Sequence, residues 1–97
     1  MSPMVFTATI EKTPGKGGWH YVRIPDSVRA DLRDISGKNG NAPVLVTIGK
    51  TTWPSTTMSM GEQQWFVAVK ADIRKIENVS EGDTVSVRIA PDLERIK

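Results

Sequence analysis

The sequence predicts a mainly β domain: a small, closed or partly open six-stranded barrel with two short helices and a pseudo-two-fold internal repeat. Three observations predict it. Apolar and polar residues alternate with period two along most of the chain, between clusters of Gly, Pro, Asn and Ser. Only two stretches switch to helical spacing, and both are short. Those stretches sit at the same place in two similar segments, VRIPDSVR (residues 22–29) and VAVKADIR (residues 67–74). Each segment runs on through a short helix and a glycine-containing turn to a Val-rich strand.

The first strand is expected over residues 4–12 (MVFTATIEK), with Met4, Phe6, Ala8 and Ile10 facing inward and Val5, Thr7, Thr9 and Glu11 outward. Residues 13–18 (TPGKGG) make a hairpin loop. The return strand spans residues 19–24 (WHYVRI) and stops at Pro25. Asp26 or Ser27 can cap the helix that follows, whose apolar stripe is Val28, Leu32 and Ile35. A polar loop over residues 36–43 leads to VLVTI (residues 44–48). That run is apolar on both faces and therefore expected to be central. Gly49-Lys50 turns the chain into residues 51–58 (TTWPSTTM), expected at a sheet edge because Pro54 cannot donate to a ladder.

A further turn over residues 59–62 precedes a strand beginning at Trp65. The second helix starts at Ala71, with Ile73 and Ile76 on one face, Asp72 in the first turn and Asn78 as the stop. Residues 80–83 (SEGD) form a turn in which Gly82 can take a positive φ, and Val85, Val87 and Ile89 are the inward positions of the last strand. Residues 90–97 (APDLERIK) are expected to fray, with a last turn carrying Leu93 and Ile96.

Ninety-seven residues make one domain, residues 1–97, large enough for a single core. Cysteine is absent, which excludes disulfides and thiolate metal sites and fits a cytoplasmic protein. No long apolar run suggests a membrane span. Thirteen basic and eleven acidic side chains leave a net charge of only +2, too mild an excess to dictate an anionic partner.

The segment VAVKADIRKIENVSEGDTVSVRI (residues 67–89) resembles the AbrB-like swapped-hairpin pattern: an apolar strand, a short helix carrying Ile-Arg, a Gly-Asp turn and a Val-rich strand. Modules of that kind are usually DNA-binding homodimers, so two copies in one chain imply a monomer that imitates the dimer. Most of the chain is also similar to a bacterial family of unknown function, domain nineteen-oh-five. FTATIEK, GWHYVRIP, VTIGKTTWPSTTM and WFVAVKADIRKIENVSEGDTVSVRI carry that match, with Trp53, Ser55, Lys70, Arg74 and Lys75 among its more specific positions. Ala68 departs from it, standing where such sequences often have proline. The resemblance implies a small β-barrel and no particular activity.

The residues themselves supply no catalytic constellation. A single histidine, His20, cannot assemble a zinc site, and no acidic loop of calcium-binding type is present. Ser55 lies in no nucleophile elbow. The glycines of residues 13–18 precede a strand, in the wrong order for a phosphate loop. No enzyme activity and no cofactor are therefore expected. Two binding surfaces remain. Lys70, Arg74 and Lys75, with Arg29 at the related place in the first segment, form a basic patch suited to phosphates; the alternative is solvating charge paired to Glu77 or neighbours of Asp72. Trp53, Ser55 and Met58 are expected at the barrel rim, where an exposed Trp–Met patch marks a binding surface. The expected function is a binding module of unknown ligand, or alternatively a nucleic-acid-binding protein. The partner would then be nucleic acid or another protein.

Overall fold

The computed structural model describes residues 4–13, 19–35, 41–59 and 64–94, with Asp34 described by its backbone alone. The tip of the first hairpin, most of the polar loop after the first helix, most of the turn before Trp65, and Ile96 lie outside the described residues.

The elements run β1 (Met4–Thr9), β2 (Glu11–Lys12), β3 (His20–Ile24), α1 (Asp26–Leu32) with a 3-10 turn at Arg33–Ile35, β4 (Pro43–Ile48), β5 (Thr51–Thr56), β6 (Met58–Ser59), β7 (Trp65–Ala68), α2 (Ala71–Glu77) and β8 (Thr84–Pro91). They form two antiparallel four-stranded sheets, ordered β1-β8-β4-β5 and β2-β3-β7-β6. The expected six-stranded barrel is therefore corrected to eight strands in two sheets, with no closed ladder among the described residues. The reason is local. The first expected strand breaks at Ile10 and the expected edge strand of residues 51–58 breaks at Thr57, both fully buried. At each break the chain leaves one sheet and enters the other. The Ile10 N–H donates to the Asp83 carbonyl (2.9 Å) and the Thr57 N–H to the Ala42 carbonyl (3.0 Å), so both bond to loop backbone instead of a neighbouring strand.

Alternation sets what each sheet buries. Val85, Val87 and Ile89 of β8 and Val44, Val46 and Ile48 of β4 point inward, joined by Trp53 of β5 and the half-buried Met4, Phe6 and Ala8 of β1. The facing layer supplies Ile10, Val22, Ile24, Trp65, Val67 and Val69. β4 lies centrally and β5, with exposed Pro54, lies at an edge, as their sequences predict. Val28 and Leu32 of α1 are buried and Ile35 is half-buried, so the apolar stripe reads correctly. The helix cap differs: Pro25 is the N-cap residue and Asp26 already helical, with no side-chain cap.

In α2 only Ile73 is buried (8% exposed), whereas Ile76 is 66% exposed. The inward pair is Ile73 and Glu77, four apart. The Glu77 carboxylate accepts hydrogen bonds from Thr51 Oγ1 (2.6 Å) and the Lys50 N–H (3.3 Å), which ties α2 to the β4–β5 turn. Gly49 sits in that turn at φ +60°, where a β-carbon would collide with the same carboxylate. Asn78 ends α2 in the left-handed conformation (φ 55°), and the Val79 N–H donates to the Arg74 carbonyl, closing the C-terminus. Residues 90–91 belong to β8 instead of a frayed tail. Pro91 pairs with Val44, and the buried Asp92 donates its N–H to the Pro43 carbonyl.

Both sheet orders share one property. Exchanging β1, β2, β3 and β4 for β5, β6, β7 and β8 reproduces each order read backwards. Val22 faces Val67 across β3–β7, and Thr47 faces Arg88 across β4–β8.

Candidate functional site

A cleft of about 320 Å³ opens where the start of β3 meets the end of β7 and the first turn of α2, lined by Trp19, His20, Ala68, Val69, Lys70, Ala71 and Arg74. The local sequence explains each position. The Val69 N–H donates to the His20 carbonyl (2.8 Å), which extends the β3–β7 pairing to the cleft floor. Trp19 is held by its backbone: its N–H donates to Thr13 Oγ1 (2.8 Å) and its carbonyl accepts from the Thr13 N–H (2.9 Å). With the backbone so fixed, the indole stays 55% exposed, a large apolar face left in solvent on an anchored strand.

Arg74 is fixed at two points. Its Nε donates to the Val69 carbonyl (3.2 Å), and its Nη1 lies 3.4 Å from His20 Nε2. Arginine can only donate, so His20 Nε2 accepts and the imidazole carries its proton on Nδ1. Burial lowers the His20 pKa; the Arg74 guanidinium and the Lys12 ammonium lower it further, and Glu81 opposes them. His20 is thus the neutral acceptor that orients Arg74. Its Nδ1 is buried without a partner among the described residues. Lys70, exposed at the N-cap of α2, adds a second cation on the same rim. None of the lining residues is acidic.

Two other clefts differ in chemistry. One is lined by Thr7, Ala8, Thr9, Glu11, Arg23, Ile24 and Pro25. There the Arg23 guanidinium is already engaged by Glu11 (2.7 Å) and by Gln64 Oε1 (2.9 Å). The Glu11 partner holds Arg23 above its usual pKa. The other lies on the outer face of the first sheet, lined by Val5, Thr47, Gly49, Ser86 and Arg88, without an aromatic ring.

The structure divides the residues singled out by sequence. Lys70 and Arg74 meet in the cleft, and Lys75 lies exposed beside them on α2 without lining it. Arg29 is on α1, its side chain 12% exposed, with Asp26 3.5 Å away. Trp53 is corrected: at 6% exposure it belongs to the core and presents no ring at a rim. β5 alternates, and Trp53 falls on its inward side while Pro54 takes the outward one. Ser55 and Met58 are half-buried. Trp19 and His20 are the residues that sequence reading left out of the patch. Their adjacency to Arg74 depends on the β3–β7 register, which no local signal reveals.

Among the described residues, no three His, Asp or Glu side chains are grouped to hold a metal ion, and no helix is long and apolar enough to cross a membrane. The chain matches no functionally curated protein. Residues 6–89, from β1 through nearly all of β8 and including both helices, match the family described as Domain of unknown function (DUF1905), and the chain belongs to that family.

Proposed function

We propose that this protein is a non-enzymatic binding module that takes one small anionic ligand in the cleft of Trp19, His20, Lys70 and Arg74. The observation that carries the reading is Arg74. Two hydrogen bonds hold its guanidinium in place, its remaining N–H groups have no partner among the described residues, and no acid lines the cleft beside it. A pre-oriented, unneutralised guanidinium recognises carboxylate or phosphate at low entropic cost.

We further infer that residues 4–48 and 51–91 are two copies of one plan, interlocked as in AbrB-like domains, and that the chain acts as a monomer. The exchange symmetry of both sheets supports this, as does the cross-pairing of β3 with β7 and β4 with β8. The matched backbone bonds support it too: Ile10 of the first half to Asp83 of the second, and Thr57 of the second to Ala42 of the first. On this plan Pro25, Asp26 and Arg29 correspond to Lys70, Ala71 and Arg74. The first half thus has proline in place of the lysine, and its arginine has a carboxylate nearby. A basic surface repeated about a two-fold, as symmetric DNA would require, is not matched by these side chains.

Nucleic acid is the second reading, favoured by the exposure of Lys70 and Lys75 around Arg74. Fluorescence anisotropy of labelled mixed-sequence duplex and single strand separates the two. The small-ligand reading expects no salt-sensitive binding at low salt, while acetate and inorganic phosphate shift the Arg74 Nε–H signal in a saturable way. Tight nucleic-acid binding that weakens steeply with salt and is lost in a Lys70→Glu, Arg74→Glu, Lys75→Glu variant would overturn it.

A further inference from the structure

We propose that the ligand of this cleft is an aromatic monocarboxylate: a flat ring laid on Trp19 with its carboxylate on Arg74 and Lys70. The inference rests on the anion-binding reading above and adds the chemical class. Three features narrow it.

The first is the wall. Trp19, Ala68, Val69 and Ala71 contribute apolar surface, and the Trp19 indole is exposed on a backbone pinned twice to Thr13. A ring that stacks there covers apolar area that is otherwise wet. The second is the charge. Only Lys70 and Arg74 are cationic among the lining residues. Two cations on one rim suit a single carboxylate. A polyphosphate needs more positive charge, or a nest of backbone N–H groups, and the lining offers neither.

The third is the geometry of Arg74. Its Nε is occupied by Val69 and one Nη1 hydrogen points to His20. The guanidinium therefore presents its outer edge, the Nη1–Nη2 side, to an incoming group. That edge matches the two oxygens of a planar carboxylate. At about 320 Å³ the cleft is at the small end of ligand sites, sized for one or two rings.

The test is a nitrogen–proton NMR titration of the full chain with four probes: benzoate, 2-naphthoate, benzamide and inorganic phosphate. It follows the Trp19 indole N–H and the Arg74 Nε–H. Benzoate and 2-naphthoate are expected to move both signals saturably, with 2-naphthoate the tighter. Benzamide, which keeps the ring and lacks the charge, should bind at least about tenfold more weakly. Phosphate should move Arg74 and leave the Trp19 indole nearly still. Trp19→Ala should reduce the preference for 2-naphthoate over phosphate, and Arg74→Gln should abolish the difference between benzoate and benzamide. Phosphate binding as tightly as 2-naphthoate overturns the aromatic assignment and leaves the anion site standing. No response of Arg74 to any anion overturns both.

Discussion

The segments around α1 and α2 follow strands, β3 and β7, that exchange places in the sheet order, and they differ in what they leave open. At α2, Arg74 is held by the Val69 carbonyl and by neutral His20 of β3, and faces a cleft with Trp19 and Lys70. At α1, the arginine at the related place in the sequence, Arg29, is mostly buried with Asp26 nearby, and Pro25 stands where α2 has Lys70. The nearby Arg23 is paired with Glu11. The helices divide the work the other way. α1 buries both Val28 and Leu32, while α2 buries Ile73 alone and leaves Ile76 in solvent. α1 is thus the more deeply packed helix, and α2 carries the arginine that faces a cleft.

The largest expected effect tests the packing side of that contrast. Leu32→Ala removes a fully buried side chain from α1 and should cost about 2–5 kcal/mol in urea unfolding. Ile76→Ala, on the exposed face of α2, should stay within about 0.5 kcal/mol. Equal losses would mean that α2 is anchored as α1 is.

The α2 side relies instead on Glu77. Glu77→Ala gives up the bonds to Thr51 and Lys50 and should cost about 1–2 kcal/mol. Gly49→Ala forces a β-carbon both into a left-handed backbone and into the Glu77 carboxylate, for about 1–3 kcal/mol. The double variant should lose less than the sum, because the collision disappears with the carboxylate. Strict additivity would remove Glu77 as the clamp on that turn.

His20 links the site to pH. Its pKa is held below the usual 6.5, chiefly by burial and then by Arg74 and Lys12. The folded state therefore prefers the neutral ring. Its contribution to stability is complete above 6.5 and declines as pH falls through 6.5 toward the folded value, because the unfolded chain takes up the proton first. His20 is the only histidine, so His20→Asn should flatten the urea midpoint between about pH 7 and 5. A midpoint that rises on acidification would contradict a folded state that prefers the neutral ring. The smallest effect belongs to the exposed Arg23–Glu11 pair. Arg23→Ala should cost about 0–1 kcal/mol, less still at high salt.

How far the sequence reaches is clear from particular elements. Alternation identified the inward residues of β1 and β8, because side-chain direction along a strand follows from period alone. The sequence sets the segments at Val22 and Val67 side by side, and these two valines face each other across β3–β7. The division into two sheets was not legible. Nothing in MVFTATIEK marks Ile10 as a sheet-to-sheet crossing, since an apolar inward residue fits a continuous strand equally well. Glu77 was read as surface charge because its partner is a turn some 26 residues earlier. Trp53 was misplaced because a tryptophan beside an edge proline suits a rim or a core alike. Lys70 and Arg74 are four apart in the sequence, and both line one cleft. Trp19 and His20 were missed because they reach that helix only through the pairing of β3 with β7.

The most direct measurement follows the Nε–H signals of Arg74 and Arg29 together while sodium acetate is titrated into the protein against a sodium chloride control. The one-sided account predicts a saturable shift at Arg74 with Arg29 unmoved. Equal shifts at both arginines, or none at Arg74, would contradict it.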